Sequence, residues 1–377
     1  SHCVAQAVGA GHEVRMLVRN PDKARLSLAV HEVTGPVEIV EADLTDHPAL
    51  RAGLVGMDAL LHVGAVFSLN ANDGRLMAEV NPSSTAVLLD TAVDLGLDPI
   101  VYVSTVGVFY PLQSAELDAD ADVSTGCGPD TASKIAAERV ARRHQSGGAP
   151  VTCVYPGGVI GPCDPNPDLS DSMAGLVETM KRSFFPLSAD ATTAFVDVRD
   201  VARVCVGALE PGRGPRRYLV AGNLCDVGRI IECGHDLTGR TFRCRAVPAS
   251  LILGAAHLID LVSRLTRRKM PFNLEGARIM TSGRHGLSHL RQSAAEADFA
   301  FPTRTFEETM ADTLRWLHAT GHLTDEQVQA VHVLDKVKAV RKPLLDGQGV
   351  VLDVADGPVP IEQDAGDDLL YAHDSRA

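Results

Sequence analysis

Along the chain, short unbroken apolar runs alternate with stretches in which apolar residues fall three or four positions apart. The runs are Glu13–Val18, Val37–Val40, Ala59–Val63, Ile100–Ser104 and Val151–Tyr155. Their length and lack of alternation suit strands buried on both faces. Between them the spacing predicts helices over Ser1–Gly9, with Val4 and Val8 four apart, then Pro48–Val55, Asn81–Leu95 and Thr131–His144. Arg19–Lys23 reads as a turn and Gln113–Pro129 as a loop. Strands alternating with helices in this way predict a doubly wound α/β fold around a parallel sheet. Such sheets bind ligands at the carboxyl ends of their strands, so residues just past each run are the first candidates for a site.

Beyond Pro156 the pattern loosens into Gly/Pro-rich stretches, Pro156–Pro167 and Pro211–Pro215, which predict a smaller C-terminal lobe. The expected division is a sheet-bearing part over 1–155 and 190–210, and a lobe over 156–189 and 211–323. Within the lobe, Ala249–Leu265 places Leu251, Ile252, Ala255, Leu258, Ile259, Val262 and Leu265 at helical spacing, and carries His257 and Asp260. It is too short and too polar to span a bilayer. Two readings stay open: a wall of an apolar ligand pocket, or peripheral membrane contact through 249–269, aided by Arg264, Arg267, Arg268 and Lys269. Phe306–His318 is amphipathic and holds the sole tryptophan, Trp316. A further helix is expected over 324–342. From Pro343 to Ala377 there are eight acids and one base, broken by Gly and Pro, and this tail is expected to be disordered.

The whole 377-residue chain carries 35 Lys and Arg against 48 Asp and Glu, a formal charge of −13. That balance argues against a nucleic-acid partner, which needs clustered bases. Eight cysteines show no Cys-x-x-Cys spacing and the histidines no metal-ligating pair, so no metal centre is expected. Reduced thiols and a cytoplasmic setting follow as expectations.

Seven segments occur in an informative order: Val18-Arg19-Asn20-Pro21-Asp22-Lys23, Ala42-Asp43-Leu44, His62-Val63-Gly64-Ala65, Tyr102-Val103-Ser104-Thr105, Ser133-Lys134, Tyr155 through Pro162, and Val196 through Val201. Together they resemble the extended short-chain dehydrogenase/reductases of the NAD-dependent epimerase/dehydratase family, in particular the dihydroflavonol-reductase-like and 3β-hydroxysteroid-dehydrogenase-like branch. The resemblance runs from Ser1 to about Leu323. It implies a Rossmann-like sheet and a nicotinamide dinucleotide cofactor. That family opens with a strand and a Gly-x-x-Gly-x-x-Gly turn, and Ser1 aligns just after the last glycine. The resemblance therefore implies a sheet lacking its first strand, in a chain expected to fold poorly or hold cofactor weakly.

On the same resemblance Arg19 takes the ribose 2′-phosphate of NADP, where NAD-preferring members carry an acid, so NADP is expected, with NAD as the alternative. The plain reading of Arg19 is a solvated turn arginine. Asp43 and Leu44 match the pair that brackets the adenine, although Asp43 also reads as a turn aspartate. Gly64 and Ala65 match the small residues beside the dinucleotide, and Pro156, Gly157 and Val159 match the segment near the nicotinamide carboxamide. Asn81, Arg199 and Asp200 match structural positions.

The catalytic set departs from the pattern. Thr105 matches the hydroxyl that binds the substrate oxygen, and Lys134 the lysine that holds the ribose. Four residues before Lys134, where the family has its proton-transferring tyrosine, stands Asp130. A phenol near 10 is drawn toward neutrality by an adjacent ammonium, whereas an aspartate near 4 is driven lower still. Asp130 is therefore expected to be a locked carboxylate, or a helix N-cap after Pro129, or an i, i+4 partner of Lys134. Tyr110 is the one tyrosine on the same rim. Two functions follow: an NADP-dependent oxidoreductase for a bulky apolar, steroid-like or flavonoid-like alcohol or ketone, or a catalytically impaired nucleotide-binding or structural relative.

Overall fold

The computed structural model describes residues 1–68, 73–164, 169–182, 184–185, 192–244, 247–266, 274–281, 287–299 and 302–328. The described residues all fall within one compact unit, and residues 329–377, which include the expected tail, lie outside them. Of the helix expected over 324–342, the described part holds a single 3-10 turn, Asp325–Gln327.

The apolar runs become strands and the spaced stretches become helices, in the order α1 (His2–Gly9), β1 (Val14–Val18), α2 (Pro21–Ala29), β2 (Val37–Glu41), α3 (His47–Leu54), β3 (Leu60–His62), α4 (Gly74–Asp94) and β4 (Ile100–Val103). There follow β5 (Glu116–Asp118), α5 (Pro129–Ser146), β6 (Val151–Pro156), β7 (Gly158–Ile160), α6 (Asp171–Arg182), β8 (Phe184–Phe185), β9 (Thr192–Asp197), α7 (Val198–Gly207) and β10 (Arg216–Val220). The remainder is β11 (Asn223–Asp226), α8 (Val227–Thr238), β12 (Arg243–Cys244), α9 (Ala249–Thr266), α10 (Leu274–Thr281), β13 (His289–Arg291), α11 (Ser293–Asp298) and α12 (Phe306–Ala319).

β1 pairs in parallel with β2, and β3, β4, β6 and β10 form a second parallel ladder in the order β10-β6-β4-β3. Among the described residues no strand joins β1 to β3, so the two ladders do not share a strand. Leu50, Leu54, Leu88, Leu89, Ile100, Val151 and Tyr155 fill the space between sheet and helices. A second core gathers Met180, Leu237, Phe306, Met310, Leu314 and Leu317 under α8 and α12.

Three elements differ from the sequence expectation. The turn at Arg19–Lys23 is instead the start of α2: Asn20 Oδ1 accepts the Lys23 N–H at 2.9 Å, and Pro21 supplies a helical φ at the first position. α4 starts at Gly74 rather than Asn81 and passes through Pro82. Proline removes one intrahelical donor there, and burial of Met77, Val80, Leu88 and Leu89 holds the helix across the gap. The loop 113–129 contains β5, whose partner β13 is remote in sequence.

The block Val196–Val201 is structural, as expected. Asp197 caps α7 through the Arg199 N–H (2.8 Å), and the Arg199 guanidinium bridges Asp197 (2.6 Å) and Asp312 (2.7 Å). The fully buried Asp200 is paired with Arg304. Gly157 follows the same logic, since a Cβ on it would lie 2.6 Å from the Ala221 carbonyl oxygen and 2.9 Å from that of Ala194. Gly157→Ala should lower unfolding stability by roughly 1–3 kcal/mol, the usual penalty of overpacking, measured by urea denaturation.

Candidate functional site

Because β1, β2, β3, β4 and β6 run parallel within their ladders, the residues that follow them lie at strand carboxyl ends. Arg19 stands exposed after β1, and among the described residues its guanidinium makes no hydrogen bond or ion pair. Asp43 follows β2, where Oδ1 accepts from the Thr45 N–H (2.9 Å) and hydroxyl (2.7 Å). Those two bonds, with a smaller contribution from Arg19, hold its carboxyl below the usual range. The aspartate is thus both a turn residue and a neighbour of Arg19. Leu44 lies over Gly64: a Cβ on that glycine would be 3.5 Å from Leu44 Cδ2. Gly64 and Ala65 are exposed past β3. The structure therefore brings Arg19 to Asp43 and Leu44 to Gly64. Pro156 ends β6, Gly157 is held between two carbonyls, and half-buried Val159 pairs with Val196 in β7–β9.

Thr105 ends the β4 run and caps the 3-10 turn Val106–Phe109, its Oγ1 accepting the Gly107 N–H at 3.1 Å. Because the oxygen serves as acceptor, the hydroxyl proton remains available to a ligand. Gly107 connects this rim to α5, since a Cβ there would lie 3.4 Å from Thr105 Oγ1 and 3.5 Å from Thr131 Cγ2. Lys134 is half-buried on α5, and among the described residues its ammonium makes no hydrogen bond. Burial pushes its pKa down, and Asp130 acts against that fall.

Asp130 does not behave as its sequence position suggests. It is not the N-cap of α5; Gly128 is, and Asp130 is the second helical residue. Nor is it a locked carboxylate. Burial pushes its carboxyl up to about 6, outweighing the opposing pull of the Lys134 ammonium, and the Glu275 carboxylate adds to the rise. Its Oδ1 is buried without a hydrogen-bond partner. The residue that sequence reasoning missed is Glu275 of α10. Its Oε2 accepts the Asp130 N–H (3.0 Å), and its Oε1 accepts the Thr131 N–H (2.7 Å) and the Thr131 hydroxyl (2.7 Å). Nothing in local sequence connects α10 to the head of α5. The one indirect signal is Gly128: a Cβ there would sit 2.7 Å from the Glu275 side chain.

Asn81 ties the rim together, as its structural assignment requires. Its Oδ1 accepts the Val66 N–H (2.7 Å), while Nδ2 donates to the Val66 carbonyl and the Ser133 hydroxyl, both at 2.9 Å. Beneath Lys134, buried His62 bonds Thr85 at 3.1 Å and is held near 4 by burial and by the Lys134 charge, so the imidazole is neutral. Tyr110 is buried and its phenol is pushed up to about 12, which makes it a poor proton source. On α9, Leu251, Leu258, Leu261, Val262 and Leu265 are exposed, with Leu265 at 76%. Among the described residues no helix is long and apolar enough to cross a membrane. Arg267, Arg268 and Lys269 lie outside the described residues.

The parallel ladders with a polar cluster at their carboxyl ends define the class of α/β proteins that bind a ligand across the ends of their strands. Within that class, the family model of the NAD dependent epimerase/dehydratase family matches residues 1–221, and the chain belongs to that family. Sterol demethylase protein B of Methylococcus capsulatus is 29% identical over 328 residues, which cover 85% of this chain and 95% of that protein. Cinnamoyl-CoA reductase 1 of Arabidopsis thaliana is 27% identical over 237 residues, 59% of this chain and 67% of the reductase. Among solved structures, the dTDP-glucose 4,6-dehydratase DesIV of Streptomyces venezuelae, with NAD bound, superposes with a TM-score of 0.62 at 21% identity, covering 84% of this chain and 92% of that one. The family is nicotinamide-dinucleotide dependent.

The raised Asp130 carboxyl has a stability consequence with a definite sign. The folded group holds its proton up to about 6 and the unfolded group only to about 3.8, so the penalty is absent below pH 4 and complete above pH 6. After discounting for solvent screening, Asp130→Asn should stabilise the fold by on the order of 1–3 kcal/mol at pH 7–8 and by little at pH 4. Thermal melts of both proteins across that range test this, and a pH-independent difference would count against it.

Proposed function

We propose that the protein is an NADP-dependent oxidoreductase that interconverts an alcohol and a ketone on a bulky, mostly apolar, steroid-like or flavonoid-like substrate. The observation that carries this reading is the Asp130 carboxyl at the family's proton-transfer position, four residues before Lys134 on α5, with Oδ1 buried and unpartnered and its pKa pushed up by that burial. The matches to a sterol demethylase protein and a cinnamoyl-CoA reductase support the substrate class. Val63 (51% exposed) and Phe67 (54%) support it too, as apolar surface left open beside the rim. The residues present fit the adenosine and nicotinamide ends of the dinucleotide. Arg19, exposed and without a hydrogen bond or ion pair among the described residues, would take the 2′-phosphate, Asp43 and Leu44 would flank the adenine, and Gly64 and Ala65 would leave room beside the ligand. Lys134 would hold the ribose hydroxyls, and Pro156, Gly157 and Val159 would border the carboxamide.

When bound, the reduced nicotinamide supplies hydride to the carbonyl carbon. Thr105 donates its free hydroxyl proton in a hydrogen bond to the carbonyl oxygen and orients it. Asp130 transfers its proton to that oxygen as negative charge develops there. The carboxylate left behind faces the Lys134 ammonium four residues on, which lowers the cost of its ionisation. Roughly a tenth of such carboxyls carry a proton at pH 7, enough to sustain turnover with rapid re-protonation. The exposed leucines of α9 fit either an apolar substrate wall or contact with a lipid surface.

A second reading, a nucleotide-binding relative without turnover, is favoured by the burial of Asp130 Oδ1 away from solvent. The two are separated by assaying NADPH oxidation against a panel of apolar ketones. On the first reading kcat for reduction declines above about pH 6, and Asp130→Asn lowers it about 10²–10⁴-fold. On the second, the protein is inactive and Asp130→Tyr raises turnover. Cofactor choice is tested separately by calorimetric titration. Arg19→Ala should weaken NADP binding roughly 10- to 100-fold, as loss of a charge-assisted phosphate contact does, and leave NAD binding within about 2-fold. Equal weakening of both would remove Arg19 from the 2′-phosphate site.

A further inference from the structure

The N-terminus of α5 has a local acceptor only for the amides before it, the Thr131 hydroxyl taking the Cys127 (2.7 Å) and Gly128 (3.1 Å) N–H groups. Gly128 has no side chain and Pro129 has no N–H, which leaves the amides of Asp130 and Thr131 in need of an acceptor. The acceptor is the carboxylate of Glu275, 9% exposed, reaching across from α10 with one oxygen on each amide. It also takes the Thr131 hydroxyl proton, so both oxygens are spent on the first turn of α5. The close approach is possible because Gly128 leaves 2.7 Å where a Cβ would meet Glu275.

We propose that Glu275 is a positioning residue for Asp130: it clamps the first turn of α5 and sets a negative charge against the Asp130 carboxyl, keeping that carboxyl a usable acid. This deepens the proposed function and rests on it for its catalytic meaning, while the clamp itself does not. The groups facing Asp130 can be named element by element. Lys134 on α5 favours ionisation and Glu275 on α10 opposes it. Arg278 of α10 is directed to the Cys127 carbonyl at 2.8 Å, and the Cys127 thiol, raised by burial and by Glu275, stays neutral. From α4 come the neutral Asn81 amide, bound to Ser133, and the helix head, where a Cβ on Gly74 would lie 3.0 Å from Pro129 Cβ and which carries Asp73 and Arg75, the latter paired with Glu79.

A capping role and a charge role make different demands. Gln in place of Glu275 keeps a carbonyl oxygen for the amides and loses the charge; Ala loses both. Glu275→Gln should therefore fold with a near-normal melting temperature yet move the pH midpoint of ketone reduction downward by about half a pH unit or more. At pH 7 its kcat should fall about 3-fold or more while KM stays within 2-fold. Glu275→Ala should melt lower as well. The same titration is read without turnover from the pH dependence of the melting-temperature difference between Asp130 and Asp130→Asn, measured in the Glu275 and Glu275→Gln backgrounds. A downward move of that midpoint in a protein with no reductase activity would keep the positioning role and sink the proposed reaction. An unmoved midpoint in both readouts, with Glu275→Gln otherwise normal, would overturn the role of Glu275.

Discussion

Two backbone amides at the head of α5 have no partner within their own helix, and the arrangement of the candidate site follows from how they are satisfied. A carboxylate from α10 supplies both bonds, so the first turn of α5 is held by an element remote in sequence. With that turn closed off, Asp130 loses water and its carboxyl rises. The same burial lowers the neighbouring Lys134. The pair is thus drawn toward neutrality from both sides, as happens when two ionisable groups share a low-dielectric site.

Asn81 performs the complementary task on the other side of the helix. By binding both the N–H and the carbonyl of Val66 and donating to Ser133, it links the segment after β3 to α5. Ser133 in turn donates to the Asp130 carbonyl at 2.8 Å. The first turn of α5 is therefore fastened at its amides by Glu275 and at a carbonyl by the Asn81–Ser133 relay. Fastening of this kind is what the proposed proton transfer from Asp130 would require.

Several polar residues away from the candidate site are paired with one another. Asp197 pairs with Arg199 and Asp200 with Arg304, and Tyr155 donates to Oε1 of the fully buried Glu138 at 2.6 Å, while Glu138 Oε2 is buried without a partner. Arg19, Lys134 and Asp130 retain hydrogen-bonding capacity that the protein does not use. That unused capacity, after β1 and in the first turns of α5, is what the proposed function draws on.

The strands and most helices were legible in the sequence because burial on both faces demands unbroken apolar runs, and helices one-sided spacing. The runs at Val37–Val40 and Ile100–Ser104 became β2 and β4 nearly residue for residue. Order along the chain also placed Thr105, Lys134 and Arg19 at strand ends or on the helix that follows, since parallel connections leave them nowhere else. α2 was missed although Asn20 and Pro21 are ordinary start signals, because the sequence Arg19–Lys23 is equally a turn until packing selects one. The state of Asp130 was beyond local reasoning altogether. Sequence shows an acid one helical turn from a base and so predicts a lower pKa, but desolvation depends on what covers the group. The covering carboxylate comes from Glu275, 145 residues further along the chain. Pairwise spacing is a property of the chain, whereas burial is a property of the folded whole, and here burial decided the chemistry.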